Sequence, residues 1–123
     1  MGDRAVFGFK SEGHTLFLYS HWGGDEQLAT MQEAITAAQS RWGDPEYATR
    51  IAISHIIGDQ WKSGTGYGLS IDSFTEPDYS YAYVVDWDSG TVETIDTWQA
   101  IGGSSPPRKW TIAGFLALVN QEA

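Results

Sequence analysis

Of the residues able to do chemistry, one histidine lies in an unusual local sequence. His21 is followed by Trp22 and two glycines, at the predicted junction of a strand and a helix. Glycine lets a backbone approach a ligand closely, and a helix N-terminus offers free amide donors to an anion. Two interpretations stay open. Either His21 and Trp22 line a small pocket, or Trp22 fills the core while His21 bonds within a turn.

A pocket at this junction would suit a nucleotide-like ligand. An aromatic ring stacks on a base, and an arginine pairs with phosphate. The candidate pocket residues are His21, Trp22, Arg50 and Tyr67. The chain has only seven Lys and Arg against sixteen Asp and Glu, which counts against an anionic ligand. One arginine per subunit would suffice if a homo-oligomer shared the site.

Motifs for catalysis and metal binding are missing from the sequence. The chain has no cysteine, and its histidines, His14, His21 and His55, lack the spacing of a helical zinc motif. No Gly-x-Ser-x-Gly elbow occurs, and the glycines of residues 64–68 lack the Lys-Ser or Lys-Thr of a phosphate loop. Asp86-x-Asp88 begins like a calcium loop but has no later glutamate, so a hairpin turn is predicted. We therefore expect no catalytic residue, no cofactor and no metal in a non-enzymatic protein, although a three-histidine site formed in space stays open.

Carboxylates and tyrosines are concentrated in the second half of the chain. Between Lys62 and Arg108 there are seven Asp and Glu and no Lys or Arg. Protein interfaces are enriched in tyrosine and tryptophan, and hydroxyl-bearing rings suit a half-exposed face. The predicted partner-binding residues are Tyr79, Tyr81, Tyr83, Asp86, Trp87 and Asp88. They would form an acidic docking face for a protein with a basic surface. The alternative is that the charges serve solubility and the rings pack in the core.

The elements that position these residues follow the order ββ-αα-βββ-α. Apolar periodicity predicts a helix over roughly residues 25–40, and Asp44-Pro45 starts a second helix that ends at Gly58. Strands are predicted at 5–10, 15–19, 79–85 and 91–96. A further strand is predicted where Leu69 and Ile71 alternate with Ser70 and Asp72, and a closing helix near 112–119. Short hairpin links favour antiparallel pairing. The prediction is one compact α+β domain over residues 1–123, with a mainly antiparallel sheet packed against two to three helices.

Composition excludes several classes of partner. The net charge of −9 disfavours direct binding to nucleic acid or to an anionic membrane. The apolar runs are too short for a membrane span or a signal peptide, so we expect a cytoplasmic location.

Three segments resemble a family of small proteins encoded by tailed phages, with relatives in phages of actinobacteria. The segments are residues 17–24 with their His-Trp-Gly-Gly sequence, Arg50-Ile51-Ala52, and residues 65–70. The resemblance covers most of residues 5–86 and carries no catalytic residue. It implies an accessory protein that binds and modulates a host protein, in host takeover or anti-defence, inside the bacterial cytoplasm. Nucleic-acid mimicry, with carboxylates in place of phosphates, is a variant of this hypothesis.

Overall fold

A computed structural model describes residues 5–21, 26–72, 81–96 and 108–119. Its strands are β1 (Ala5–Ser11), β2 (His14–Ser20), β3 (Tyr67–Ile71), β4 (Tyr81–Asp86), β5 (Thr91–Asp96) and β6 (Lys109–Thr111). Its α-helices are α1 (Gln27–Ala37), α2 (Pro45–Ile57) and α3 (Ile112–Leu116). The predicted α+β class is confirmed, and the element order differs from the prediction by one added strand, β6.

The strands form one sheet in the order β3-β2-β1-β4-β5-β6. All neighbours are antiparallel except β1 and β4, which pair in parallel with Phe7 opposite Tyr83. The two hairpins β1–β2 and β4–β5 therefore lie side by side, and β3 and β6 occupy the two edges. The mainly antiparallel sheet predicted from the short turns is confirmed.

The two hairpin turns lie at the same end of the sheet and contact each other. Glu12 and Gly13 form the β1–β2 turn with φ angles of 54° and 81°, as a two-residue hairpin turn with positive φ at both central residues requires. The backbone N–H of Glu12 donates to Oδ2 of Asp88 in the β4–β5 turn, at 2.6 Å. Asp86 accepts the backbone N–H groups of Asp88 and Ser89 at 3.0 and 3.3 Å. The Asp86-x-Asp88 pattern is thus a turn.

The main core lies between one face of the sheet and the three helices. Its largest fully buried side chains include Phe7, Leu18, Met31, Ile35 and Phe115. Helix α2 begins at Pro45, and Gly58, whose φ is +65°, caps its C-terminus, as predicted. Helix α1 ends at Ala37, earlier than predicted, and a short 3₁₀ turn over Gln39–Arg41 follows it.

A second apolar cluster lies on the opposite face of the sheet. Val6, Phe17, Ala82 and Val84 are buried there, with Tyr19 and Ile95 packed against them. Strands β1 and β4 are consequently buried on both faces, which explains why their sequences are nearly continuous apolar runs rather than alternating ones.

Candidate functional site

The prediction that Tyr83 and Trp87 belong to an exposed docking face is wrong, because both side chains lie in the core. Tyr83 is 4% exposed, and its ring packs 5.2 Å from that of Phe115. Trp87 is 6% exposed, and its Nε1 donates to Oγ1 of Thr49 on α2 at 2.9 Å. Side chains alternate along an extended chain, so residues 83, 85 and 87 share one face, and that face packs against the helices. Tyrosine here fills the interior, although a hydroxyl group favoured a half-exposed position.

The remaining members of that face do not restore it as a surface. Asp86 is half-buried and Asp88 is exposed, and both bind backbone N–H groups of the two hairpin turns. Tyr79 lies outside the described residues, and Tyr81 is described only by its place at the start of β4. Asp86 and Asp88 therefore serve turn formation.

The predicted pocket residues do not converge on one pocket. His21 follows β2 on the face that carries Tyr19, and Tyr19 Oη lies 3.2 Å from His21 Nδ1. Tyr67 lies on the opposite face, half-buried against the helix-side core. Arg50 is on α2 and lines a different cavity, while Trp22 lies outside the described residues. The junction after β2 therefore does not bring His21, Arg50 and Tyr67 together.

A groove between α2 and the β2–β3 end of the sheet is the strongest candidate site. We call it the β3 groove; its volume is about 520 Å³. One wall is the first part of α2, the floor is β1 and β2, and the other side is edge strand β3 with the loop after α2. Its lining residues are Phe9, Ser11, His14, Thr15, Leu16, Pro45, Glu46, Thr49, Arg50, Ile53, Trp61, Leu69 and Ile71.

Three large apolar side chains of the β3 groove are open to solvent. Trp61 is 50%, Leu69 57% and Ile71 69% exposed. Leu69 and Ile71 pair with Leu18 and Leu16 of β2, so all four project from the helix-side face of the sheet. Leu18 is fully buried, and the helices' cover ends before β3. Clustered apolar exposure of this kind marks binding surfaces more often than single exposed residues do.

Few charges line the β3 groove. Glu46 and Arg50 are exposed on its α2 wall, and among the described residues Arg50 makes no ion pair. At the far end of β3, Asp72 accepts a hydrogen bond from the Thr15 N–H at 2.9 Å and lies 3.1 Å from His14 Nδ1. The Thr15 bond and then the His14 contact lower the pKa of Asp72. Asp72 therefore stays ionised and ties the end of β3 to β2.

The outer edge of β3 presents backbone groups beside the exposed side chains. His21 N donates to Gly66 O at 2.9 Å, and Asp72 N donates to Thr15 O at 2.7 Å. Antiparallel pairs alternate, so every second residue of β3 directs its N–H and C=O toward β2. Gly68 and Ser70 share this direction. Leu69 and Ile71 have the opposite orientation, so their N–H and C=O groups point outward, away from β2.

Metal and membrane sites are not apparent in the described residues. No group of three or more His, Asp or Glu side chains there is placed to hold a metal ion. His14 and His55 each lie near one carboxylate, at 3.1 and 3.5 Å respectively. None of the helices described is long and apolar enough to cross a bilayer.

Sequence reasoning missed most of this site. Trp61 carried a usable signal, because it is a tryptophan among polar residues, three positions after the Gly58 that ends α2. Leu69 and Ile71 were recognised only as alternating strand residues. Their exposure depends on β3 being the edge strand, which local sequence does not reveal.

The described residues form a small α+β domain with an open, mainly apolar groove. No protein-family model, curated protein or solved structure matches the chain. The resemblance to small tailed-phage proteins therefore stays a prediction.

Proposed function

We propose that this chain is a non-enzymatic accessory protein that binds a protein partner with a basic surface, through the β3 groove. The observation that carries the proposal is the exposure of Trp61, Leu69 and Ile71 around one cavity. Tryptophan anchors are frequent among the residues that dominate binding energy. The proposal keeps the predicted basic partner and moves the contact surface from the tyrosine strand to the groove.

Charge supports the choice of a basic partner. A net charge of −9 on 123 residues gives the domain a negative field, which speeds the approach of a positively charged protein and repels a second copy. A phage accessory role toward a host protein follows from the sequence resemblance alone, and it places the expected partner in an actinobacterial cytoplasm.

Affinity capture with a matched pair of variants tests the proposal. Wild type, Ile71→Asp and Val119→Asp would each be immobilised and exposed to actinobacterial lysate, and any captured protein would be purified and titrated. Val119 is 75% exposed and lies outside the groove, so it matches Ile71 in type, exposure and introduced charge. We expect the purified partner to be basic and to bind wild type and Val119→Asp equally. Binding to Ile71→Asp should be about tenfold weaker or worse.

The salt dependence of binding supplies a second criterion. Attraction between a basic partner and this acidic domain is screened as ionic strength rises, so the association rate should fall with added salt. A captured protein that binds Ile71→Asp as well as wild type would overturn the groove as the contact surface. Association that is insensitive to salt would overturn the basic partner.

A small ligand in the same groove is the second candidate function. Arg50 has no ion pair among the described residues, and it shares the cavity with the half-exposed Trp61. An aromatic phosphate, such as a nucleotide, would stack on the indole and pair with the guanidinium. The cavity's volume of about 520 Å³ lies within the range of small-molecule sites.

Thermal shift with a panel of nucleotides tests this candidate, because a ligand that binds only the folded state raises the melting temperature. A ligand-induced rise in melting temperature should disappear in Arg50→Gln. It should persist in Lys109→Gln, which removes a cation at the opposite edge of the sheet. No rise with any nucleotide, or a rise that Arg50→Gln leaves intact, would reject this candidate.

A further inference from the structure

We infer that the partner adds an extended strand to the outer edge of β3, in a way that places its side chains in the β3 groove. This inference rests on the proposed function, since it specifies how the groove is occupied. The occupant is an extended segment of a basic protein, with apolar side chains at alternate positions and lysine or arginine between or beside them.

The backbone of β3 supplies half of the recognition. Leu69 and Ile71 direct their N–H and C=O groups outward, as the bonds at Gly66 and Asp72 require. An incoming strand can pair with both residues without breaking a bond between β2 and β3. Strand addition of this kind takes its affinity from main-chain bonds and its specificity from pockets for alternate side chains.

The side chains supply the other half. Those of Leu69 and Ile71 project toward the groove, because they are paired with Leu18 and Leu16. Residues of an added strand that lie opposite Leu69 and Ile71 must project to the same face. Two apolar side chains at positions i and i+2 would therefore lie beside Ile71 and Leu69, at the mouth of the groove that Ile53 and Trp61 also line.

Charge selects this occupant over a second copy of the chain. Self-pairing through β3 would bring together two domains that each carry a net charge of −9. The ionised Asp72 at the strand end would instead attract the lysine or arginine side chains that alternate with the apolar ones. Glu46 on the groove wall would attract a lysine or arginine beside the apolar positions on the groove face.

Amide hydrogen exchange measured by NMR tests the inference on the intact chain. The probe is a short capped peptide that alternates valine with lysine, added to millimolar concentration. The first control peptide has glutamate in place of lysine, and the second has the same composition with the valines grouped together. We expect the alternating lysine peptide to slow exchange at Leu69 and Ile71 at least tenfold. Gly68 and Ser70 already bond to β2 and should change much less.

Two variants separate strand addition from side-chain docking alone. Leu69→Pro removes an outward N–H, which an edge strand tolerates, and Leu69→Ala shortens the side chain but keeps the amide. If strand addition is correct, Leu69→Pro weakens peptide binding at least fivefold more than Leu69→Ala does, with folding verified by circular dichroism. Exchange measured on wild type does not depend on how either variant folds.

The outcomes distinguish this inference from the proposed function. Peptide binding that Ile71→Asp abolishes, without slowed exchange at Leu69 and Ile71, would overturn strand addition and leave the groove as a docking surface. Failure of all three peptides to bind at millimolar concentration would overturn the basic strand as occupant. Slowed exchange without peptide that increases with protein concentration, together with a dimer in sedimentation, would identify a second copy as the occupant.

Discussion

Substitution of alanine for Gly8 and for Gly68 should have opposite effects on stability. Both glycines lie in strands of the same sheet, and neither has a positive φ. A Cβ added to Gly8 would lie 2.7 Å from Val84 Cγ2 and 3.0 Å from Phe17 Cε1, whereas a Cβ added to Gly68 meets nothing within 4 Å. Both substitutions lower the conformational entropy of the unfolded chain by the same amount. They differ only in the space that the folded protein leaves for the added methyl group.

The size of the difference follows from these distances. Val84 and Phe17 are 1% and 4% exposed in the second apolar cluster, so neither can move into solvent. Overpacking of a filled core costs about 1–3 kcal/mol, against a gain of about 0.4–1 kcal/mol when alanine replaces glycine at a compatible site. We expect Gly8→Ala to destabilise by about 1–2 kcal/mol and Gly68→Ala to stabilise by up to about 1 kcal/mol.

Urea denaturation monitored by circular dichroism measures both values, and Val84→Ala completes a double-mutant cycle. Removal of Cγ2 frees the space that the Gly8→Ala methyl needs, so the double variant should lose about 1 kcal/mol less than the sum of the single variants. Equal stability changes for Gly8→Ala and Gly68→Ala would refute the close packing of this face. Additive losses in the cycle would refute the contact between residues 8 and 84.

Two further predictions concern contacts that hold the groove in place. Trp87→Phe removes the donor to Thr49 and should lower the free energy of unfolding by about 1–2 kcal/mol; a Thr49→Val background should reduce that loss in denaturation experiments. Asp72→Asn should lose stability relative to wild type near neutral pH, because the pKa of Asp72 is lowered in the folded state by Thr15 and His14. A lowered pKa stabilises the fold above the ordinary range of an aspartate and ceases to do so as pH falls through the lowered value. The difference in melting temperature should therefore shrink in acid, and a difference independent of pH would contradict the charge-based account.

Local signals in the sequence predicted most of the elements. Asp44-Pro45 and Gly58 bound α2 as expected, since proline fixes φ at a first helical turn and glycine adopts the +65° that ends the helix. The strand at 91–96 was predicted with its observed bounds. Strand β6 was missed because its three residues carry one apolar side chain, Trp110, which is too little for a periodic pattern.

The placement of the site depended on long-range pairing, which local patterns do not contain. The parallel pairing of β1 with β4 places Tyr83 beside Phe7, and the ring of Tyr83 packs against Phe115 of α3. Residues 5–9 and 82–85 are apolar at nearly every position, which is typical of strands buried on both faces. That signal could have assigned Tyr83 to the interior before the structure was known.

Among the described strands, β3 is an edge strand, and it carries few of the features that usually prevent strand pairing. Edges are protected by proline, by inward charges, by bulges or by short length. Strand β3 has five residues and ends at Ile71, before Asp72 with its φ of +67°. The residues with outward backbone groups include the apolar Leu69 and Ile71. The net charge of −9 supplies protection of another kind, because it opposes pairing between copies of the same chain. The same charge does not oppose pairing with a basic strand. The net negative charge therefore disfavours self-association through β3 and favours a positively charged partner.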